Sequence, residues 1–182
     1  MLNLTGYNDV KAADSDAQKL PNLPCGEYIC KIVGAKAETI KGKDGNSYDM
    51  LNVAVDIDEG KFKGYFAQRF KADKDYYDEP KWKAVIRFFV INKFSGKVDK
   101  RFKKFLEDVA FSNKDYKFDT DKFDEKTLKG KIVGVIFDEN KFEKDGRQFS
   151  FVQPTRTKPA ENIIIAEDFD GEEINDDDSM PF

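Results

Sequence analysis

Residues 27 to 58 alternate polar and apolar side chains around a single turn, and that pattern constrains the fold more than any other feature. Tyr28, Cys30 and Ile32 fall on one side of the first run, and Ile29, Lys31 and Val33 on the other. In the second run Leu51, Val53, Val55 and Ile57 form an apolar face, opposite Tyr48, Met50, Asn52, Ala54 and Asp56. A period of two places alternate side chains on opposite faces of a strand, and the β-branched residues favour the same reading. Lys41-Gly42-Lys43-Asp44-Gly45-Asn46 between the runs carries two glycines, as a hairpin loop does. The spacing predicts strands over Glu27–Ile40 and Ser47–Asp58, then a turn at Asp58-Glu59-Gly60 and a third strand over Phe62–Phe70.

Further along, residues 82–92 fit two readings. Trp82, Val85, Ile86, Phe89 and Val90 keep helical spacing, while the Val-Ile-Phe-Phe-Val-Ile composition favours strand, the reading adopted here. Val98, Phe102, Phe105, Leu106 and Val109 make an apolar stripe at helical spacing, predicting a helix over Lys97–Phe111 with lysines on its other faces. Strands follow over Leu128–Glu139 and Arg147–Arg156, with a turn at Lys141–Gly146. The expected organisation is a mobile arm over 1–20, one domain over 21–158 and an acidic tail over 159–182.

That order matches a five-stranded oligonucleotide/oligosaccharide-binding (OB) barrel, all-β with one amphipathic helix between strands 3 and 4 and an extended insertion. Composition excludes several chemistries. The chain has no His, which removes imidazole bases, Ser-His and Cys-His nucleophiles and imidazole metal ligands. Its two cysteines, Cys25 and Cys30, cannot build a four-ligand zinc site and read as free thiols on opposite strand faces. No signal-peptide-like stretch begins the chain, so a soluble, intracellular protein is expected, with no cofactor, no metal and no membrane partner.

Charge is unevenly spread. Residues 167–182 hold eight of the 35 acids and none of the 31 bases, which leaves 27 acids against 31 bases in the rest. A mildly basic body with an acidic tail suits a protein that grips nucleic acid through a local groove. Such binding needs cations for phosphates and aromatic faces for bases. The chain has 17 Phe, 7 Tyr and 1 Trp, several beside a cation. Candidate nucleic-acid-binding residues are Lys41 and Lys43 in the hairpin loop, Tyr48 on the second strand, and Tyr65 and Arg69 on the expected third. Trp82, Lys83, Arg87 and Phe89 follow on the 82–92 segment, and Arg147 and Phe149 on the last strand. Phe66, Phe70, Phe102, Phe105 and Phe137 read as core, and the basic face over Lys97–Lys104 as solvated helix surface.

The sequence closes on Asp176-Asp177-Asp178-Ser179-Met180-Pro181-Phe182. This run resembles the C-terminal tip of bacterial single-stranded-DNA-binding proteins: aspartates, one aliphatic residue, Pro and Phe. Met180 stands for the aliphatic residue and Ser179 is one extra. The middle of the chain is also similar to phage-encoded proteins proposed as single-strand binders, through Lys63-Gly64-Tyr65-Phe66, Lys81-Trp82 and Leu128-Lys129-Gly130-Lys131 after the helix. The resemblance implies sequence-nonspecific single-stranded-DNA binding in phage or bacterial replication or recombination, in the bacterial host cytoplasm. It implies a tip that recruits replication, repair or recombination proteins through an apolar ring, a carboxylate and the aspartates. On charge grounds the tail is also expected to compete with phosphate for the basic groove. Two other readings stand beside it: an adaptor that binds proteins and not DNA, and a metal-dependent nuclease, for which no spacing pairs carboxylates on a strand beside a Lys.

Overall fold

The computed structural model describes residues 20–74, 77–144 and 146–164. The expected arm and the acidic tip lie outside the described residues. Five strands form one antiparallel sheet: β1 (Gly26–Lys41), β2 (Ser47–Ile57), β3 (Val85–Phe89), β4 (Ile132–Lys144) and β5 (Arg147–Lys158). Their spatial order is β3-β2-β1-β4-β5. Helix α1 (Tyr65–Asp73) follows β2, and helix α2 (Lys100–Ser112) lies between β3 and β4. Among the described residues no helix is long and apolar enough to cross a membrane.

The alternation in β2 has the expected consequence. Leu51, Val53, Val55 and Ile57 are buried, with Ile86 and Phe88 of β3 beside them and Ile32, Val133, Val135 and Phe137 continuing the core. The stripe of α2 closes that core: Phe102, Phe105, Leu106 and Val109 are buried, and Phe105 stacks on Phe88 at 4.6 Å between centroids. Burying each such side chain is worth about 1.5–3 kcal/mol. Asp99 starts α2 by accepting the Arg101 N–H at 2.8 Å. Asp108, buried on α2, accepts the Thr157 hydroxyl of β5 at 2.8 Å and pairs with Lys104, so helix and sheet are tied by a satisfied buried charge.

β3 and β5 are the two edges of the sheet. They approach each other but share no ladder among the described residues, so the sheet is not closed. Part of the β5 edge is satisfied by a side chain instead: Arg101 donates to the Thr155 carbonyl at 3.1 Å. Pro154, which has no N–H, sits where the β4–β5 register shifts, between Ile136 and Phe137.

Several expectations need correction. Residues 62–70 are not the third strand; a turn through residue 64 and then α1 from Tyr65 occupy them, and the third strand is Val85–Phe89. The physical reason is Asp56. Its carboxylate accepts the N–H groups of Phe66 at 2.9 Å and Ala67 at 3.2 Å, so β2 supplies the helix cap that Gly64 cannot. Among the described residues there are therefore two α-helices rather than one. Val98 is not part of the α2 stripe: it precedes the helix, bridges to Ile91 and is exposed. β4 begins at Ile132, with Leu128 in a short 3-10 turn, and runs through the expected turn to Lys144. The body also extends past residue 158. Ala160–Asn162 form a 3-10 turn and Ile163 is buried over Gly134, where an added Cβ would lie 2.8 Å from Ile163.

Candidate functional site

The outward face of β2 and β3 is built from the residues that alternate with the core. Asn52 pairs with Arg87 across the two strands, and Met50 with Phe89. On the other side of β2, Lys36 pairs with Asn52, Glu38 with Met50 and Ile40 with Tyr48. Two rows run across the three strands, Lys36-Asn52-Arg87 and Glu38-Met50-Phe89, with Ile40-Tyr48 beside them. Arg87 is exposed, and Phe89 is 49% exposed although it is a large apolar residue. The Tyr48 and Phe89 rings meet edge to face, 6.1 Å between centroids.

The β1–β2 loop supports this face. Gly42 donates its N–H to the Asn46 carbonyl at 2.8 Å. A Cβ at Gly42 would come within 2.6 Å of the Tyr48 ring, so the missing side chain lets that ring lie against the loop. The Tyr48 hydroxyl donates to Asp44, which also accepts the Asn46 N–H at 3.1 Å. That bond holds the Asp44 carboxyl below its ordinary value and raises the Tyr48 phenol. Opposite the loop stands the β3–α2 connection, and between them lies a groove of about 500 Å³. Tyr48, Phe89, Ile91 and Phe94 supply its apolar surface, and Lys43 and Lys93 are among its cations.

The carboxylates near this face are already engaged. Glu38 accepts from the Asn52 amide at 2.7 Å, Asp44 holds Tyr48, and Asp99 caps α2. Among the described residues, none of Lys36, Lys41, Lys43, Arg87 and Lys93 forms an ion pair. The face thus offers exposed rings beside uncompensated cations. Chemically it can stack planar groups and attract anions. Among the described residues no group of three or more His, Cys, Asp or Glu side chains is placed to hold a cation.

A second aromatic cluster lies on the β4–β5 hairpin. Phe142 and Phe149 face each other across the strands and stack at 5.3 Å, and Phe151 meets Phe142 edge-on at 5.9 Å. Arg147 pairs near the end of the same hairpin and is exposed.

Of the residues expected at the site, Lys43, Tyr48, Arg87 and Phe89 converge on the β2–β3 face and its loop, whereas Lys41 ends β1 opposite Ser47, on the other face of the hairpin from Ile40 and Tyr48. Arg147 and Phe149 belong to the β4–β5 cluster. Tyr65 does not offer a stacking face: its ring is 4% exposed and packs edge-on against Phe66 at 5.1 Å. Arg69 does not share a strand face with it but sits one helical turn on, donating to the Tyr65 hydroxyl at 3.3 Å. Trp82 packs against Phe70 and donates its indole N–H to the Val55 carbonyl at 2.9 Å, so both its apolar face and its polar handle are used internally. Lys83 precedes β3 and pairs with Asp73 at 3.6 Å.

Sequence reasoning missed Lys36, Ile91, Lys93 and Phe94 in the groove region, and Phe142 on the hairpin, while Phe151 falls on the strand face that alternation gives to Arg147 and Phe149. The signal for Phe94 was present. A lone Phe in Asn92-Lys93-Phe94-Ser95-Gly96-Lys97, a polar turn-forming run, has no core face to join.

Compared with protein-family models and with curated proteins, the chain matches none. Its reading therefore rests on the residues themselves.

Proposed function

We propose that this protein binds single-stranded DNA without sequence preference, through the outward face of β2 and β3. The observation that carries the reading is the grouping of Arg87, Phe89 and Tyr48 on one solvent face, with Lys36 and Lys43 around it and no ion pair among them within the described residues. Stacking on an aromatic side chain contributes about 1–3 kcal/mol per base and tolerates any base, and cations track the phosphates. The fold we propose is an OB barrel left open between β3 and β5. The strand order, the helix between β3 and β4, and the approach of β3 to β5 support it. In that fold the strand 2–3 face and the loops after strands 1 and 4 bind oligonucleotides.

The acidic run ending in Met180-Pro181-Phe182 supports a second element of the proposal. It recruits replication, repair or recombination proteins in a bacterial host cytoplasm, while the body holds the strand. Neither role needs catalysis or a cofactor.

The test is a mobility-shift titration with poly-dT, duplex DNA and RNA at two salt concentrations. The proposal expects capture of poly-dT that weakens with salt, with a log–log slope of about −0.7 per phosphate contact. Absence of any poly-dT binding returns the adaptor reading, and metal-dependent cleavage returns the nuclease.

A further inference from the structure

The β3–α2 connection is a rigid turn that presents an aromatic ring to water. The Asn92 side-chain carbonyl accepts the N–H groups of Phe94 at 3.0 Å and Ser95 at 3.2 Å. The Asn92 backbone N–H donates to the Lys97 carbonyl at 2.8 Å, and the Gly96 N–H donates back to Asn92 at 2.9 Å. Gly96 closes the turn at φ 64°, a left-handed conformation that suits glycine. Phe94 sits inside this network and is nevertheless 87% exposed. An unpatterned loop has no reason to hold a phenylalanine in water, and here the backbone is fixed on both sides of it.

Phe94 lines the groove whose surface includes Tyr48 and Phe89. The polar groups beside it are satisfied internally. Asp99 accepts from the Arg101 N–H at 2.8 Å and the Asn92 amide at 3.3 Å, and Asp44 accepts from Tyr48 and the Asn46 N–H. What remains for a ligand is apolar ring surface, including the face of Phe94 turned away from the Lys93 ammonium that lies 4.9 Å from its centroid, and the charges of Lys43 and Lys93. Edge readout requires hydrogen-bonding groups that are free to pair, so these engaged carboxylates do not supply it.

We infer that this groove captures one unpaired base as a ring, with Phe94 as its outer stacking face, Tyr48 and Phe89 as its floor, and the neighbouring phosphates drawn to Lys43 and Lys93. The inference rests on the single-strand reading above and sharpens it, because it assigns capture to the base and not only to the backbone. Charge complementarity selects a nucleotide over a neutral apolar occupant.

The test measures the affinity of the full chain for a labelled dT oligomer and for an abasic oligomer of the same length and charge, by fluorescence anisotropy. Phe94 packs on no core, so Phe94→Ala keeps the fold, which circular dichroism verifies. Phe94→Ala is expected to weaken dT binding roughly tenfold, leave the abasic oligomer unchanged and leave the salt slope unchanged. Phe94→Trp is expected to restore dT binding, with tryptophan emission quenched by dT and by dA alike but not by the abasic oligomer. Wild-type affinity for dT in Phe94→Ala, or an equal loss for both oligomers, overturns the inference and leaves the single-strand reading standing. Emission that answers to a peptide of residues 176–182 and not to dT overturns it in favour of a protein occupant. A wild-type chain that holds neither oligomer removes both the inference and the reading beneath it.

Discussion

The Asp44 carboxylate holds the Tyr48 hydroxyl at the β1–β2 turn, so the posture of a candidate stacking ring is linked to the protonation of two groups. Asp44 titrates below its ordinary value, chiefly because it accepts from Tyr48, and Tyr48 titrates above its own because it donates to Asp44. A lowered carboxyl contributes above the unfolded-chain value of about 3.9, and that contribution is lost as pH falls through the folded value. A raised phenol contributes below about 10, and that is lost as pH rises through the folded value. The Tyr48 ring resonances in NMR spectra are therefore expected to be flat between about pH 5 and 9 and to shift on both sides. Tyr48→Phe removes the alkaline shift and returns Asp44 toward the usual carboxylate range. Identical Asp44 titration in the two proteins contradicts the coupling.

Asp56 is the cap on which α1 depends. It accepts from Phe66 and Ala67 and from its neighbour Ile57 at 2.9 Å. Asp56→Ala leaves these donors unpaired and is expected to lower unfolding stability by about 2–3 kcal/mol, read as a shift of the urea midpoint. Asp56→Asn keeps one acceptor oxygen and costs less. Burial raises the Asp56 carboxyl despite the three N–H donors. Its stabilising contribution is thus fully present below about pH 3.9 and declines as pH rises through the folded value. Wild type is expected to lose stability relative to Asp56→Asn from acid to neutral pH. A constant difference across that range contradicts the assignment.

The two thiols differ in environment. Cys25 is exposed before β1, whereas Cys30 is fully buried in it, and burial pushes the Cys30 thiol well above its usual value. A disulfide-exchange reagent is expected to modify one thiol at once and the second only on unfolding, since the thiolate is the reactive form. Cys25→Ser removes the fast phase. Rapid modification of both cysteines in the folded protein contradicts the packing of β1.

Much of this architecture is legible in local patterns. The β1 and β2 runs, the inward set Leu51, Val53, Val55 and Ile57, and the stripe of α2 follow from periods of 2 and 3.6 that core packing then enforces. The 62–70 segment is ambiguous in sequence because Phe62, Tyr65, Phe66 and Phe70 also fit helical spacing, and the deciding cap comes from Asp56, on a different element. Trp82 and Tyr65 depart from expectation for a related reason. Their polar handles suggest exposure, but Val55 and Arg69 satisfy them inside the fold. The rows that bring Lys36 and Arg87 onto one face depend on inter-strand register, which no single run of sequence contains.

The most direct measurement is the equilibrium affinity of the full chain for a dT oligomer before and after the double substitution Arg87→Ala with Phe89→Ala. Both side chains are exposed, so the fold remains. Binding is expected to weaken on the order of a hundredfold, with the salt slope reduced by about 0.7 for the lost phosphate contact. A folded double variant that binds the oligomer as tightly as wild type, with the same salt slope, contradicts the placement of the strand on the β2–β3 face.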